Sequence, residues 1–311
     1  MRLSVNDITK SFGSVAALDG VSFCAESGSP FGLLGRNGAG KTTTMRIIMD
    51  VFRPDSGSVT LDGVPLEKSG ARLGYLPEER GLYRKTRVGE QLEYFARLRG
   101  MGAADAHRAV TGWLERLDMG DSYKKKVETL SKGNQQRIQL ALALINDPDV
   151  IILDEPFSGL DPVNAKQLRD IVADEAKRGK LIIFSSHQMN AVEDFCDDIM
   201  ILRHGRSVLS GRLAEIRSGF PRTLVRIAAR DPEKAATAVE RFGTVEPTGG
   251  GLLLHLTSSV ADCEDIMRAL LESGAGVITC ETVEPSLEQI FVTYASDDDV
   301  SDEGMVQRDE K

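Results

Sequence analysis

The stretch Gly35-Arg36-Asn37-Gly38-Ala39-Gly40-Lys41-Thr42-Thr43 constrains this chain more than any other. An apolar run, Phe31-Gly32-Leu33-Leu34, precedes it and reads as a buried strand, while Thr44 to Asp50 follow it and read as a helix. Strand, glycine-rich loop and helix in that order are the context that the pattern G-x-x-x-x-G-K-[ST] requires. The glycines let backbone N–H groups close around phosphate oxygens, and the helix N-terminus adds the positive end of its dipole. Lys41 is then placed to reach β- and γ-phosphates, and the Thr42 hydroxyl to ligate Mg²⁺. The loop predicts nucleotide binding.

A chain of 311 residues, 41% of them hydrophobic, suffices for one large domain or two ordinary ones. Its net charge of −9 and the absence of a long basic tract argue against nucleic acid as a partner. Cys24, Cys196, Cys263 and Cys280 show neither C-x-x-C pairing nor metal spacing, which fits a reducing compartment. The first residues lack the apolar core of a signal peptide, and no apolar run approaches the ~18 residues of a membrane span. The expectation is a cytosolic chain whose membrane business passes through a partner.

Texture along the chain divides it. Residues 3–8 and 21–25 alternate as strands, joined by Lys10-Ser11-Phe12-Gly13, and Gly57 to Leu61 and Arg72 to Leu76 read as two more. Residues 80–147 read as a helical insertion, with apolar positions Leu92, Phe95, Ala96 and Leu98, then Val110, Trp113, Leu114 and Leu117. Buried-strand runs return at residues 150–153, 181–184 and 199–202, with a helix from Pro162 to Lys177 between the first two. A boundary is expected near Ser218 to Pro221. Beyond it, residues 221–295 read as strand, helix, strand, strand, helix, strand, the ferredoxin-like order, with Ser286 to Tyr294 as a closing helix. From 296 to 311 the chain is acidic and nearly without apolar residues, and reads as a disordered tail.

Two downstream stretches complete the chemistry. Val150-Ile151-Ile152-Leu153-Asp154-Glu155 is an apolar strand ending in two carboxylates, which carries Asp154 to the Mg²⁺ beside the loop. Glu155, one residue on, is placed to deprotonate a water for attack on the γ-phosphate. Leu130-Ser131-Lys132-Gly133-Asn134-Gln135-Gln136 reads as a capped helix start, with Ser131 as the cap and Gly133 allowing close approach of an anion.

These residues resemble the ATP-binding subunits of ABC transporters. Gly35 to Thr43 match Walker A, Leu130 to Gln136 the signature motif, Val150 to Glu155 Walker B, Ser158 to Asp161 the D-loop, and Ser185-Ser186-His187 the switch histidine. Phe12 matches the aromatic that stacks on adenine. The match covers about residues 1–215 and implies an α/β P-loop ATPase in a domain of residues 1–218; the small α+β domain at 221–295 rests on its own element order. It implies that two copies face each other head to tail, each ATP held by the P-loop of one and by Ser131, Gly133 and Asn134 of the other. Asp161 would set the geometry of that interface, and His187 would contact the γ-phosphate. It further implies ATP and Mg²⁺ as ligands, a separate transmembrane permease, and a place on the inner face of the plasma membrane.

The chain departs from the family pattern at two points. The signature reads Leu-Ser-Lys-Gly-Asn where Leu-Ser-Gly-Gly-Gln is usual, and the Q-loop carries Glu78, a possible Mg²⁺ ligand, after Tyr75-Leu76-Pro77. Both departures resemble an exporter subgroup that includes the sodium-extrusion ATPases and carries a C-terminal extension. Two rival readings are a soluble ABC ATPase acting on ribosomes or DNA and a nucleotide-switched module that does not hydrolyse. The first usually needs two ATP domains or a long coiled coil in one chain; Glu155 and His187 argue against the second.

Overall fold

The computed structural model describes residues 1–79, 81–187, 189–193, 195–220, 223–257 and 263–295; the tail expected at 296–311 lies outside them. The chain opens with the hairpin β1 (Arg2–Phe12) and β2 (Val15–Glu26), followed by β3 (Phe31–Leu34) and helix α1 (Lys41–Ile48). Lys10, Ser11 and Phe12 belong to β1, so the connection is shorter than expected and turns at Gly13-Ser14. Strands β4 (Ser56–Leu61) and β5 (Val64–Pro65) return to the hairpin and complete an antiparallel sheet in the order β2-β1-β4-β5.

Strand β6 (Leu73–Leu76) leads into the helical insertion, α2 (Val88–Leu98), α3 (Ala103–Arg116) and α4 (Lys132–Leu144). Then come β7 (Val150–Asp154), α5 (Pro162–Lys177), β8 (Leu181–Ser186), α6 (Met189–Glu193), β9 (Asp198–Arg203), β10 (Arg206–Arg212) and α7 (Leu213–Ser218). A six-stranded sheet runs in the order β10-β9-β3-β8-β7-β6. It is parallel from β6 to β9, and β10 joins antiparallel at the edge. Every residue of β3, β7 and β8 is buried, as the unbroken apolar runs predict for strands covered on both faces.

The two covers are different. On one face α1 lies between the sheets, where Met45, Ile47 and Ile48 pack with Leu3, Val5 and Ile8 of the hairpin. On the other, Val88, Leu92 and Ala96 of α2, Val110 and Leu114 of α3, and Ile138 and Leu140 of α4 join Leu168, Ile171 and Val172 of α5 in one cluster. Burying each of these valine, leucine, isoleucine and methionine side chains is worth about 1.5–3 kcal/mol. This packing fixes α1 and α4, whose N-termini carry the P-loop and the signature, on opposite sides of the sheet.

The C-terminal unit is α+β. Strands β11 (Leu224–Ala229), β12 (Gly243–Thr248), β13 (Gly251–Leu256) and β14 (Val277–Val283) form an antiparallel sheet in the order β12-β13-β11-β14. Helices α8 (Pro232–Val239) and α9 (Cys263–Glu272) cover it, with Val225, Ile227, Leu254, Val239, Ile266 and Leu270 as its core. The last helix, α10 (Leu287–Ala295), does not close this unit. Its Leu287 and Ile290 are buried in the cluster of the first domain, where Phe291 and Tyr294 also pack. The Leu287 amide donates to the Glu193 carboxylate at the end of α6, and Arg217 holds that carboxylate at 2.7 Å. Since α8 and α9 already cover the apolar face of their sheet, the apolar face of α10 finds its complement on α6 and β9.

Candidate active site

The C-terminal ends of the parallel strands carry the site. β3 ends at Leu34, and the chain then loops through Gly35 to Gly40 before entering α1 at Lys41. Gly40 is the N-cap with φ of 110°, and a Cβ there would sit 2.7 Å from Leu18 Cδ2 and 2.9 Å from the Ala17 carbonyl. Only glycine fits that combination of left-handed backbone and crowding. The helix therefore begins earlier than the expected Thr44, and the first-turn N–H groups of Lys41, Thr42 and Thr43 have no acceptor within the helix.

Arg36 to Thr43 line a cavity of about 260 Å³ together with Ala17, Glu78, Asp154 and Glu155. The glycine-rich loop from Arg36 onward and the carboxylates of Asp154, Glu155 and Glu78 are thus brought together around one space, whose lining does not include Gly35. Lys41, almost wholly buried, donates from Nζ to the Gly35 carbonyl at 2.7 Å and lies 3.7 Å from Glu155 Oε1. Its charge is aimed along the loop.

Asp154 and Glu155 are both buried, and β8 explains how the chain tolerates them there. Ser185 donates to Asp154 Oδ1 at 2.6 Å and accepts from the Glu155 amide at 3.0 Å. Tyr75, from β6, donates to Asp154 Oδ2 at 3.5 Å. Burial first, and the Asp154 charge second, push the Tyr75 phenol up to about 12, so it stays a donor at neutral pH. Glu155 sits in the left-handed region with φ of 50°, a conformation that favours glycine and is found at strained functional positions. Its Oε2 meets His187 Nδ1 at 2.8 Å, while Oε1 is buried and makes no hydrogen bond among the described residues.

His187 lies on the other flank of the loop, where it lines a second cavity of about 510 Å³ with Arg36 to Ala39 and His204. Three expected elements lie away from the P-loop cavity. Phe12 stands 45% exposed, its ring edge-on to Phe52 at 5.3 Å and Lys10 Nζ 5.7 Å above it. Ser131 caps α4 by accepting from the Asn134 amide at 3.3 Å, and Gly133 packs against Asn164, where a Cβ would come within 3.0 Å. Asp161 caps α5, accepting from the Val163 amide at 3.1 Å, the Asn164 amide at 3.0 Å and the Asn164 side chain. Those bonds hold its carboxyl below the usual range. Signature and D-loop therefore touch each other through Asn164, outside the lining of the P-loop cavity of their own chain.

Sequence reasoning missed Ser185 as the hydroxyl that serves both carboxylates, and Tyr75 as a partner of Asp154. The signal was present: Ser185 extends a buried apolar strand, where a polar residue needs a polar neighbour, and in β8 it pairs in register with Asp154.

The family profile described as "ABC transporter" matches residues 18–158, and that described as "ATP-binding protein DrrA1-3-like, C-terminal domain" matches residues 211–295. The ABC transporter ATP-binding protein YhaQ of Bacillus subtilis is 41% identical over 93% of this chain and 97% of its own length. The Nod factor export ATP-binding protein I of Burkholderia lata is 33% identical over 88% of this chain and 91% of its own. A solved ATP-binding subunit of an ABC transporter superimposes with a TM-score of 0.64 at 29% identity, covering 70% of this chain and 92% of that one.

Proposed function

The chain belongs to the ABC transporter family as an ATP-binding subunit, and from that premise we propose that it powers an exporter through a separate transmembrane permease and a second ATP-binding subunit. The export role is supported by the relative named for Nod factor export. Among the described residues no helix is long and apolar enough to cross a membrane. In this proposal the transport path belongs to another chain, and the ATP-binding subunit docks to it at the inner face of the plasma membrane. Glu78, the Lys132-Gly133-Asn134 signature and the C-terminal unit support the subgroup that includes the sodium-extrusion ATPases. The permease selects the cargo.

One observation carries the hydrolytic reading. Glu155 is a buried carboxylate at the wall of the P-loop cavity, with Oε2 held by His187 and Oε1 3.7 Å from Lys41 Nζ and without a hydrogen bond among the described residues. Loop amides and Lys41 bind the phosphates, and Lys41 exchanges its bonds to the Gly35 and Arg36 carbonyls for phosphate oxygens. Phe12 stacks on the base. Thr42 and Asp154, with Glu78 opposite, are oxygen donors suited to Mg²⁺, and the buried Glu155 oxygen beside them, which makes no hydrogen bond among the described residues, fits a site built for a cation and a water. Bound there, Mg²⁺ would neutralise charge on the β- and γ-phosphates. Glu155 Oε1 takes the proton of the water whose oxygen attacks the γ-phosphorus, and the breaking P–O bond leaves its electron pair on ADP. Ser131, Gly133 and Asn134 of the second copy close the site in trans, with Asp161 at the same interface.

Substitution Glu155→Gln keeps size and hydrogen-bonding reach but removes the proton acceptor. Hydrolysis should fall about 10²–10⁴-fold, the share of general-base catalysis, while ATP binding is kept. With Mg·ATP this variant should run as a dimer on sizing, and adding Ser131→Arg should return it to monomer. Wild-type turnover in Glu155→Gln would refute the catalytic assignment; a dimer indifferent to ATP and to Ser131→Arg would sink the shared site.

A further inference from the structure

Helix α4 begins at the signature, and two of its buried positions are polar, Gln136, which donates to the Pro156 carbonyl, and Gln139. Gln139 is 2% exposed, flanked on the helix by buried Ile138, Leu140 and Ala141. Its Nε2 donates to the Pro77 carbonyl at 3.1 Å and to the Glu79 carbonyl at 3.2 Å. Both partners are carbonyls, so only the amide nitrogen satisfies them, and the orientation of the group is fixed by its neighbours. Its Oε1 is buried and makes no hydrogen bond among the described residues. A leucine here would escape that penalty, so the amide serves the two carbonyls and not the core.

Those two carbonyls bracket Glu78. We propose that Gln139 is a positioning residue that ties the Q-loop to the signature helix, so that Glu78 and Ser131 are carried as one unit. The proposal rests on the reading of Glu78 as a working ligand on the Mg²⁺ side. Ser131 is the N-cap of α4 and Gln139 lies on the same helix, so any displacement of the signature end is passed to residues 77–79 through two hydrogen bonds from one side chain. A lone backbone turn after β6 would otherwise hold Glu78, which is exposed on the cavity side. In the dimer proposed above, α4 presents its N-terminus to the ATP of one site while Gln139 sets the Q-loop of the other. The tether thus links the two sites through a rigid element.

Gln139→Met keeps length and volume and removes both donors. In the full chain, kcat should fall about 10-fold or more, on the order that mispositioning a catalytic ligand costs, with KM for ATP nearly unchanged. The Mg²⁺ concentration for half-maximal rate should rise as it does in Glu78→Ala. The double variant Glu78→Ala/Gln139→Met should be no slower than Glu78→Ala alone, because the tether has nothing left to position. Should Gln139→Met fail to fold, Gln139→Asn, an amide one methylene too short to span both carbonyls, gives the same comparison. A Gln139 effect that multiplies with that of Glu78→Ala, or one confined to thermal stability, would overturn the proposal. If Glu78→Ala itself leaves rate and Mg²⁺ dependence unchanged, the reading of Glu78 falls instead, and the inference falls with it.

Discussion

His187 Nδ1 lies 2.8 Å from Glu155 Oε2, so the exposed imidazole fixes one oxygen of the buried carboxylate and leaves the other facing the P-loop cavity. Lys41, 3.7 Å from that second oxygen, completes the frame. The carboxylate is held from both ends, in the left-handed backbone conformation of its residue, before any ligand arrives. Orientation bought this way is available at the moment of reaction and needs no rearrangement.

His187→Ala removes the short imidazole contact to Oε2, leaving only the His187 amide at 3.4 Å, and should lower kcat about 10²-fold, within the range found for displaced catalytic groups, while nucleotide affinity stays near wild type. Steady-state kinetics beside a nucleotide-binding titration separates the two. Equal losses in affinity and rate would mean that His187 acts as a general binding residue and not on Glu155.

Ser185 is wholly buried and joins both carboxylates. In Ser185→Ala the Asp154 oxygen loses its short donor and the Glu155 amide loses its acceptor. Stability should drop by about 1–3 kcal/mol, the penalty for buried polar groups left unpaired. Denaturant unfolding measures it, and a variant as stable as wild type would show that water replaces the hydroxyl without loss.

What the sequence made legible, and what it hid, divides along physical lines. Local chemistry was readable: Gly35, Gly38 and Gly40 take positive φ, Pro162 follows the Asp161 cap, and β7 is apolar until Asp154. Contacts made by generic residues across long separations were not. Ser185 reads as an ordinary hydroxyl until its strand is paired with β7, and Gln139 as one more polar residue on a helix. The last helix shows an apolar face in its sequence, but nothing in that face says which surface it will cover. Phe12 stands out only by family resemblance, and its ring rests on Phe52, which no local pattern announces.

The edge of the parallel sheet supplies a pH prediction. Arg72, just before β6, donates from Nε and Nη2 to Asp149, just before β7, at 3.2 and 3.1 Å, and its amide donates as well at 2.9 Å. These bonds from Arg72 hold the Asp149 carboxyl below its ordinary value. A depressed carboxylate stabilises the fold above its unfolded pKa of ~3.9 and loses that contribution as pH falls through the lower folded value. Asp149→Asn should therefore be less stable by about 1 kcal/mol near pH 7, as expected for a partly exposed charge-assisted pair. The difference should close on acidification below ~4. A gap that persists unchanged into acid would assign the loss to shape and not to charge.

The docking of α10 leads to the last prediction. Leu287 and Ile290 are 0% and 1% exposed within the first domain's cluster, although they lie after the C-terminal sheet in sequence. Their contact is α6, which begins two residues after His187, and Leu287 is bonded to Glu193 at its end. Truncation after Gly219 therefore does more than remove the C-terminal unit, since it strips an apolar cover from the element next to His187. Leu287→Ala should cost about 2–5 kcal/mol, the range for a buried leucine reduced to a methyl. Truncation should cost at least as much, with kcat falling while ATP is still bound. A chain lacking 223–283 but keeping α10 on a flexible linker should recover most of the lost stability, because the burial that matters is carried by the helix. Unfolding curves for the three variants decide the matter: a truncated chain as stable as the full one would mean that α10 rests on the ATPase domain without holding it.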